Sequence, residues 1–324
     1  MPDDGYAVRA RGLSKRYGDT IALDAFDLAV PRGTVHGLLG PNGAGKTTAV
    51  RILTTLTRMD GGEATVAGQD VRTQPRLVRK RIGLTGQQTA VDDVLTARQN
   101  LTMFGRLFRL DKASARKRAD ELLKQFGLTE AAGRSPKKFS GGMRRRLDLA
   151  ASMILAPEVL FLDEPTTGLD PAGRGEVWQA IRDLASRGTT VLLTTHYLDE
   201  ADRLCDRISV IDRGTNVVHD TPAGLKRRIG NERLEIVTAE RADLATLAEL
   251  ARRVGSDAGE VVVDEDALSV SAPVVNGVPA LTEVATELRG KGVSVVDIGL
   301  RRPTLDEAFL QLTGSNPTTE LEDA

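Results

Sequence analysis

Gly40–Pro41–Asn42–Gly43–Ala44–Gly45–Lys46–Thr47 has the spacing G-x-x-x-x-G-K-[ST] of a phosphate-binding loop. Glycines here let backbone amides turn inward around phosphate oxygens, making an anion nest at a helix N-terminus. Lys46 is then placed to reach the β- and γ-phosphates of a nucleotide, and the Thr47 hydroxyl to ligate Mg²⁺. The flanks agree with this reading. Upstream, Thr34 to Leu39 is short and apolar on both faces, which fits a parallel strand covered by helices. Downstream, Thr47 to Leu56 has helical character.

Further out, Tyr6 to Tyr17 and Ala22 to Val30 alternate loosely around the turn signal Gly18–Asp19, and Glu63 to Val71 and Arg81 to Thr85 read as more strands. From about Ala90 to Phe139 the texture is helical, punctuated by Asp111 and Ser135–Pro136. Glu158 to Leu162, Thr190 to Thr195 and Ile208 to Ile211 are again short apolar strands, with helices over Ala172 to Ser186 and Leu198 to Cys205 between them. This alternation predicts a doubly wound α/β core with a helical insert. After Arg228 the composition shifts. Leu234 to Val237, Glu260 to Val263, Ala267 to Ser271 and Val293 to Ile298 read as strands. Helices are expected over Leu244 to Val254, around Ala280 to Leu288, and from a Thr304/Glu307 capping box to Leu312. The order βαββαβ points to a small ferredoxin-like unit with a trailing helix.

Composition narrows the function. The chain has 324 residues, 40% hydrophobic and 27% charged, which excludes disordered and collagen-like classes. With 44 Lys+Arg against 45 Asp+Glu, it lacks the basic excess of a nucleic-acid-binding protein. Its one cysteine, Cys205, rules out an internal disulfide and suits a reducing compartment. No run reaches the about 18 apolar residues of a membrane span, and the acidic MPDDGYAVRA start lacks the apolar region of a signal peptide. A soluble, cytoplasmic protein is the expectation.

The nucleotide's fate is read from two further stretches. Val159–Leu160–Phe161–Leu162–Asp163–Glu164 is an apolar strand ending in two carboxylates. Asp163 at a strand's C-terminal end can hold Mg²⁺, and Glu164 beside it can act as general base for a water. Phe139–Ser140–Gly141–Gly142–Met143 stands directly ahead of an arginine-rich helix. These stretches, with Gln87, Gly168–Leu169–Asp170 and Thr195–His196 in that order, resemble the ATP-binding cassette ATPases over about residues 6 to 228.

The resemblance implies a fold and a set of roles. The fold is a mixed sheet with helices on both faces, an antiparallel β subdomain and a helical insert, followed by the ferredoxin-like α+β domain. The domains are 1–229, with a helical subdomain at about 90–156, then 230–314, and a flexible tail at 315–324. ATP would be held by Gly40, Asn42, Gly43, Ala44, Gly45, Lys46, Thr47 and Thr48, with Tyr17 stacked on adenine. Mg²⁺ would be held by Thr47, Gln87 and Asp163. Glu164 would be the base, and His196 would hydrogen-bond the γ-phosphate and steady the water. Ser140, Gly141 and Gly142 would complete the site of a second copy, and Asp170 would couple the two sites at the dimer interface. Met143 stands where the family most often has glutamine. His36 and His219 have no such setting and read as structural.

Leu84 to Gln88, Ala90 to Asp93, Phe139 to Arg146 and Gly299 to Phe309 are similar to the daunorubicin/doxorubicin resistance ATP-binding proteins. That likeness implies an ATPase subunit of a drug or hydrophobic-compound exporter, working with a separate membrane permease. It would lie on the cytoplasmic face of the membrane, as a homodimer, with no nucleic acid. The alternative is a soluble cassette ATPase acting on a ribosome. Such proteins carry two cassettes per chain, whereas this chain has one. A GTPase would need an Asn-Lys-x-Asp base reader, absent here.

Overall fold

The computed structural model describes residues 5–229, 232–255, 261–291, 293–301, 304, 305 and 309. The chain divides into two compact units, Met1–Pro222 and Ala223–Ala324.

In the first unit, Ile82–Thr85, Val159–Asp163, Thr190–Thr195, Val35–Leu39 and Arg207–Asp212 lie side by side in that order, all parallel. Thr215–Asp220 adds an antiparallel edge. Every residue of Val35–Leu39, Val159–Asp163 and Thr190–Thr195 is buried, as apolar runs without alternation require. Because the strands are parallel and in register, with Leu39 opposite Thr195 and Asp163 opposite Thr194, their carboxyl ends leave the sheet at one edge. Ligands of open α/β sheets bind at that edge, where the strand order reverses.

A second, antiparallel sheet runs Thr20–Pro31, Tyr6–Tyr17, Gly61–Val66, Gln69–Asp70. The single strand expected from Glu63 to Val71 is broken at Ala67 and Gly68, whose positive φ angles of 49° and 75° turn the chain into a tight hairpin. Arg81 is not a strand residue but the end of a helix, Pro75–Arg81, with proline in its first turn where the missing N–H costs nothing. The helix after the phosphate loop is Lys46–Leu53, shorter than expected, and Thr55 beyond it has a φ of 64°.

The insert comprises helices Ala97–Leu107, Lys112–Gln125 and Gly141–Ser152. The first opens on a Thr96/Gln99 capping box, and the second on Asp111, which accepts from the amides of Ala113 and Ser114. Among the described residues no helix is long and apolar enough to cross a membrane.

In the second unit the strand order is Val262–Asp264, Ser269–Pro273, Arg233–Thr238, Val295–Arg301, every pair antiparallel. Leu234 and Ile236 alternate inward and share a core with Leu247, Ala251, Val284 and Leu288 of helices Leu244–Val254 and Gly277–Lys291. The sequence reading also passed over the helix Pro222–Ile229 and the edge strand Thr215–Asp220. Of the trailing helix expected from Thr304 to Leu312, Leu305 and Phe309 are described, both helical and buried, while its Glu307 cap and the tail at 315–324 lie outside the described residues.

Candidate functional site

The phosphate loop leaves the sheet directly after Leu39. Gly45 is the N-cap of the following helix with a φ of 109°, a left-handed conformation that L side chains rarely adopt. A Cβ on it would also lie 2.5 Å from the Ala22 carbonyl oxygen, so the loop can close only with glycine there. Gly40 is equally crowded, its would-be Cβ 2.2 Å from the Ile211 carbonyl oxygen. Asn42 and Gly43 form an exposed turn, while Ala44 is buried. Lys46 is buried, and its ammonium donates to the carbonyls of Gly40 (2.7 Å) and Pro41 (3.0 Å). Thr47 and Thr48 follow in the first turn, at a helix N-terminus of the kind that favours an anion.

Across the sheet edge, Thr47 Oγ1 donates to Asp163 at 3.2 Å, and Thr194 Oγ1 donates to the same carboxylate at 2.6 Å. Glu164 next to it has a φ of 50°, in the left-handed region that costs a non-glycine residue about 1–3 kcal/mol. The strain is held in place by two bonds from the Glu164 amide, to the Thr194 carbonyl and the Thr194 hydroxyl, both 3.1 Å. The result is a side chain turned toward Lys46 Nζ (4.0 Å) and His196 Nδ1 (3.3 Å). The His196 hydrogen bond is the strongest influence on Glu164. With the charge of Lys46 and the Thr167 hydroxyl, it holds the carboxyl below its ordinary value against the opposing effect of burial. An ionised carboxylate beside an ammonium and an imidazole is equipped to take a proton from water in front of a phosphoryl group.

These contacts join five of the expected residues, Lys46, Thr47, Asp163, Glu164 and His196. Tyr17, Gln87, Ser140 and Asp170 lie on other elements. Tyr17 is 48% exposed at the end of its strand, with Lys15 Nζ 5.2 Å from its ring centroid. Gln87 is exposed in the loop after Ile82–Thr85. Ser140 is the N-cap of Gly141–Ser152, accepting from the Met143 amide at 3.2 Å. A Cβ on Gly141 would meet Leu169 at 2.8 Å, and one on Gly142 would meet Glu176 at 2.9 Å. The two glycines therefore let this helix pack against the segment around Asp170, a reason the motif alone does not disclose. Asp170 itself caps the helix Pro171–Ser186 through the Gly173 amide at 2.8 Å.

Sequence reasoning missed several supporting groups. Thr194 adjoins the expected Thr195–His196 pair, so its position was the available signal. Glu200 is fully buried and accepts from Thr166 Oγ1 (2.8 Å) and Trp178 Nε1 (3.0 Å), and burial raises its pKa. Arg145, the middle of three consecutive arginines, is buried among backbone carbonyls. His36 is fully buried, bonded to Ser209 at 2.9 Å and stacked on His219. Burial pushes its pKa down to about 3, as befits a neutral structural residue. Cys205 is buried too, and burial raises its thiol pKa.

The donor set around Asp163 is made of hard oxygens, the type that suits Mg²⁺. Among the described residues there is no cluster of three or more His, Cys, Asp or Glu to cage a metal. A phosphate loop facing a strand-end carboxylate pair across a parallel sheet, with a capped glycine helix rising from an insert, defines an ATP-binding cassette ATPase. The chain belongs to the ABC transporter family, whose model matches residues 23–167. It is 64% identical over 322 residues to the daunorubicin resistance ATP-binding protein DrrA2 of Streptomyces coeruleorubidus, covering 99% of each chain. To the daunorubicin/doxorubicin resistance ATP-binding protein DrrA of Streptomyces peucetius it is 48% identical over 309 residues, covering 95% of this chain and 92% of that one. Among solved structures it resembles the dimeric post-hydrolysis state of the ATP-binding cassette MJ0796 bound to ADP and Pi. The TM-score is 0.59 at 26% identity, covering 66% of this chain and 98% of that chain. The protein is an ATPase.

Proposed function

We propose that the chain is the ATP-hydrolysing subunit of an exporter, driving a drug or other hydrophobic compound through a separate membrane permease. Two copies clasp two ATP molecules, each lending its Ser140–Gly141–Gly142 helix tip to the other's phosphate-loop site. Tyr17 stacks on adenine, and the loop from Gly40 to Thr48 holds the phosphates. Thr47, Asp163 and Gln87 would hold Mg²⁺, which would supply positive charge to offset that of the phosphates. Glu164 accepts a proton from the attacking water as the water oxygen bonds to the γ-phosphorus and the bond to the bridging oxygen breaks. His196 steadies that water and the γ-phosphate, and Asp170 couples the two sites. ATP favours the closed dimer and hydrolysis releases it. The chain sits at the cytoplasmic face of the membrane through its permease.

The observation that carries this reading is the Glu164 carboxylate, turned by a left-handed backbone to 3.3 Å from His196 and 4.0 Å from Lys46. The resistance names of the relatives at 64% and 48% identity support export, and the dimeric form of MJ0796 supports the closed pair. The test is sedimentation of Glu164→Gln with ATP, followed by ATP-driven uptake of daunorubicin into inverted vesicles holding the chain with its genomically adjacent permease. A dimer that forms only with ATP, and uptake that needs both chains, are expected. A monomer at saturating ATP, or uptake by the permease alone, contradicts the proposal.

A further inference from the structure

We infer that Arg145 is a positioning residue for hydrolysis: its guanidinium fixes the turn that presents Glu164 and the loop that carries Gln87, tying both to the helix that begins at Ser140. The inference rests on Glu164 being the base. Arg145 is 5% exposed, and each of its nitrogens points at a backbone oxygen. Nε donates to the Pro165 carbonyl at 2.8 Å, and Nη2 reaches the carbonyls of Asp163 and Glu164, both at 3.4 Å. Nη1 donates to the Gly86 carbonyl at 2.8 Å and to Asp148 at 3.3 Å. Asp148, also buried, accepts from the Ala90 amide at 2.9 Å through its other oxygen. The pair therefore staples both ends of the Gly86 to Ala90 loop.

The three carbonyls belong to Glu164 and its two neighbours, the residues that bracket the left-handed φ of 50°. A strained conformation persists only where its surroundings over-determine it. Thr194 holds the Glu164 amide from one side, and Arg145 holds the carbonyls from the other. A planar fork with five donors can satisfy carbonyls from two separate segments at once, which a lysine ammonium on a single point cannot. Burying an arginine for this purpose is costly, and Asp148 offsets the charge. Since the same helix offers Ser140 to the other copy's nucleotide in the proposed dimer, a shift of that helix is delivered by Arg145 to Glu164 of its own site.

The test compares Arg145→Lys with the native chain, in the Glu164 and Glu164→Gln backgrounds, by steady-state and single-turnover phosphate release. Lysine keeps the positive charge beside Asp148 and loses the fork. The expected result is a kcat lower by roughly 10–100-fold, the scale at which outer-shell partners act, with the KM for ATP changed far less, since Arg145 touches neither Lys46 nor Thr47. In the Glu164→Gln background the same substitution lowers residual turnover by a much smaller factor. A native kcat for Arg145→Lys, a KM that rises in step with the loss, or an undiminished loss in the Glu164→Gln background overturns the inference. Where the lysine variant does not fold, Arg145→Met with Asp148→Asn removes both charges together and is read the same way. Glu164→Gln hydrolysing at the native rate overturns the base assignment itself, an outcome separate from any result with Arg145.

Discussion

In the first unit the central strands Val35–Leu39, Val159–Asp163 and Thr190–Thr195 are buried on both faces. In the second, Arg233–Thr238 alternates, with Leu234, Ile236 and Thr238 inward and Arg233, Glu235 and Val237 half-buried. The difference is one of strand direction as much as of cover. Parallel strands send every carboxyl end to the same edge, so Gly40, Glu164 and His196 emerge together from residues far apart in sequence. Antiparallel strands send successive ends to opposite edges and disperse whatever polar groups they carry. Chemistry gathers on the first sheet for that reason, and the second has the build of a unit that folds around its own core.

Four changes test this contrast. The largest effect is expected at the parallel edge: Glu164→Gln retains ATP affinity while kcat falls by about 10²–10⁴, the contribution of a placed general base. Phosphate release and equilibrium ATP binding, measured side by side, check it. Next, Leu247→Ala removes a fully buried side chain of the second unit, at about 2–5 kcal/mol. Calorimetry should show that cost in the unfolding of the second unit, with ATP turnover unchanged. Turnover lost in proportion would erase the contrast. Tyr17→Ala is expected to weaken ATP binding by about 1–3 kcal/mol, the worth of one stacked base, measurable by titration calorimetry.

The smallest change is in pH dependence. Glu164 is held below its ordinary value chiefly by the His196 hydrogen bond. Its ionised form is therefore kept as pH drops through the range where a free glutamate protonates, whereas the stability this shift contributes is full above that range and is lost progressively as pH falls through it toward the lower folded value. The acid limb of the rate profile should lie correspondingly low, and in His196→Ala the residual rate should show that limb moved upward.

Much of this site was legible in sequence because its determinants are contiguous. A loop whose glycines are dictated by backbone geometry, and an apolar strand ending in two carboxylates, report their own local structure. What stayed hidden depends on long-range contact. Gly142, Arg145, Asp148 and Leu149 share one face of a helix by their spacing, which marks Arg145 as inward among three consecutive arginines. Nothing local reveals that its partners are carbonyls at residues 86 and 163–165. Asp170 could have been read as a cap from the proline after it, since Asp-Pro is a common helix opening. The Pro75–Arg81 helix was obscured by its run of Arg79, Lys80 and Arg81, with Val78 its one buried residue. In the second unit, periodicity located Leu244–Val254 to the residue, because that helix buries a regular apolar stripe. The edge strands, with one neighbour each, gave weaker patterns.

In the proposed mechanism Glu164 faces the scissile phosphate. A crystal structure of Glu164→Gln with ATP and Mg²⁺ is the direct test. It should show the substituted amide at position 164 within roughly 2.6–3.2 Å of a water poised against the γ-phosphorus, beside His196. A γ-phosphate seated elsewhere, with residue 164 turned away from it, would contradict the account.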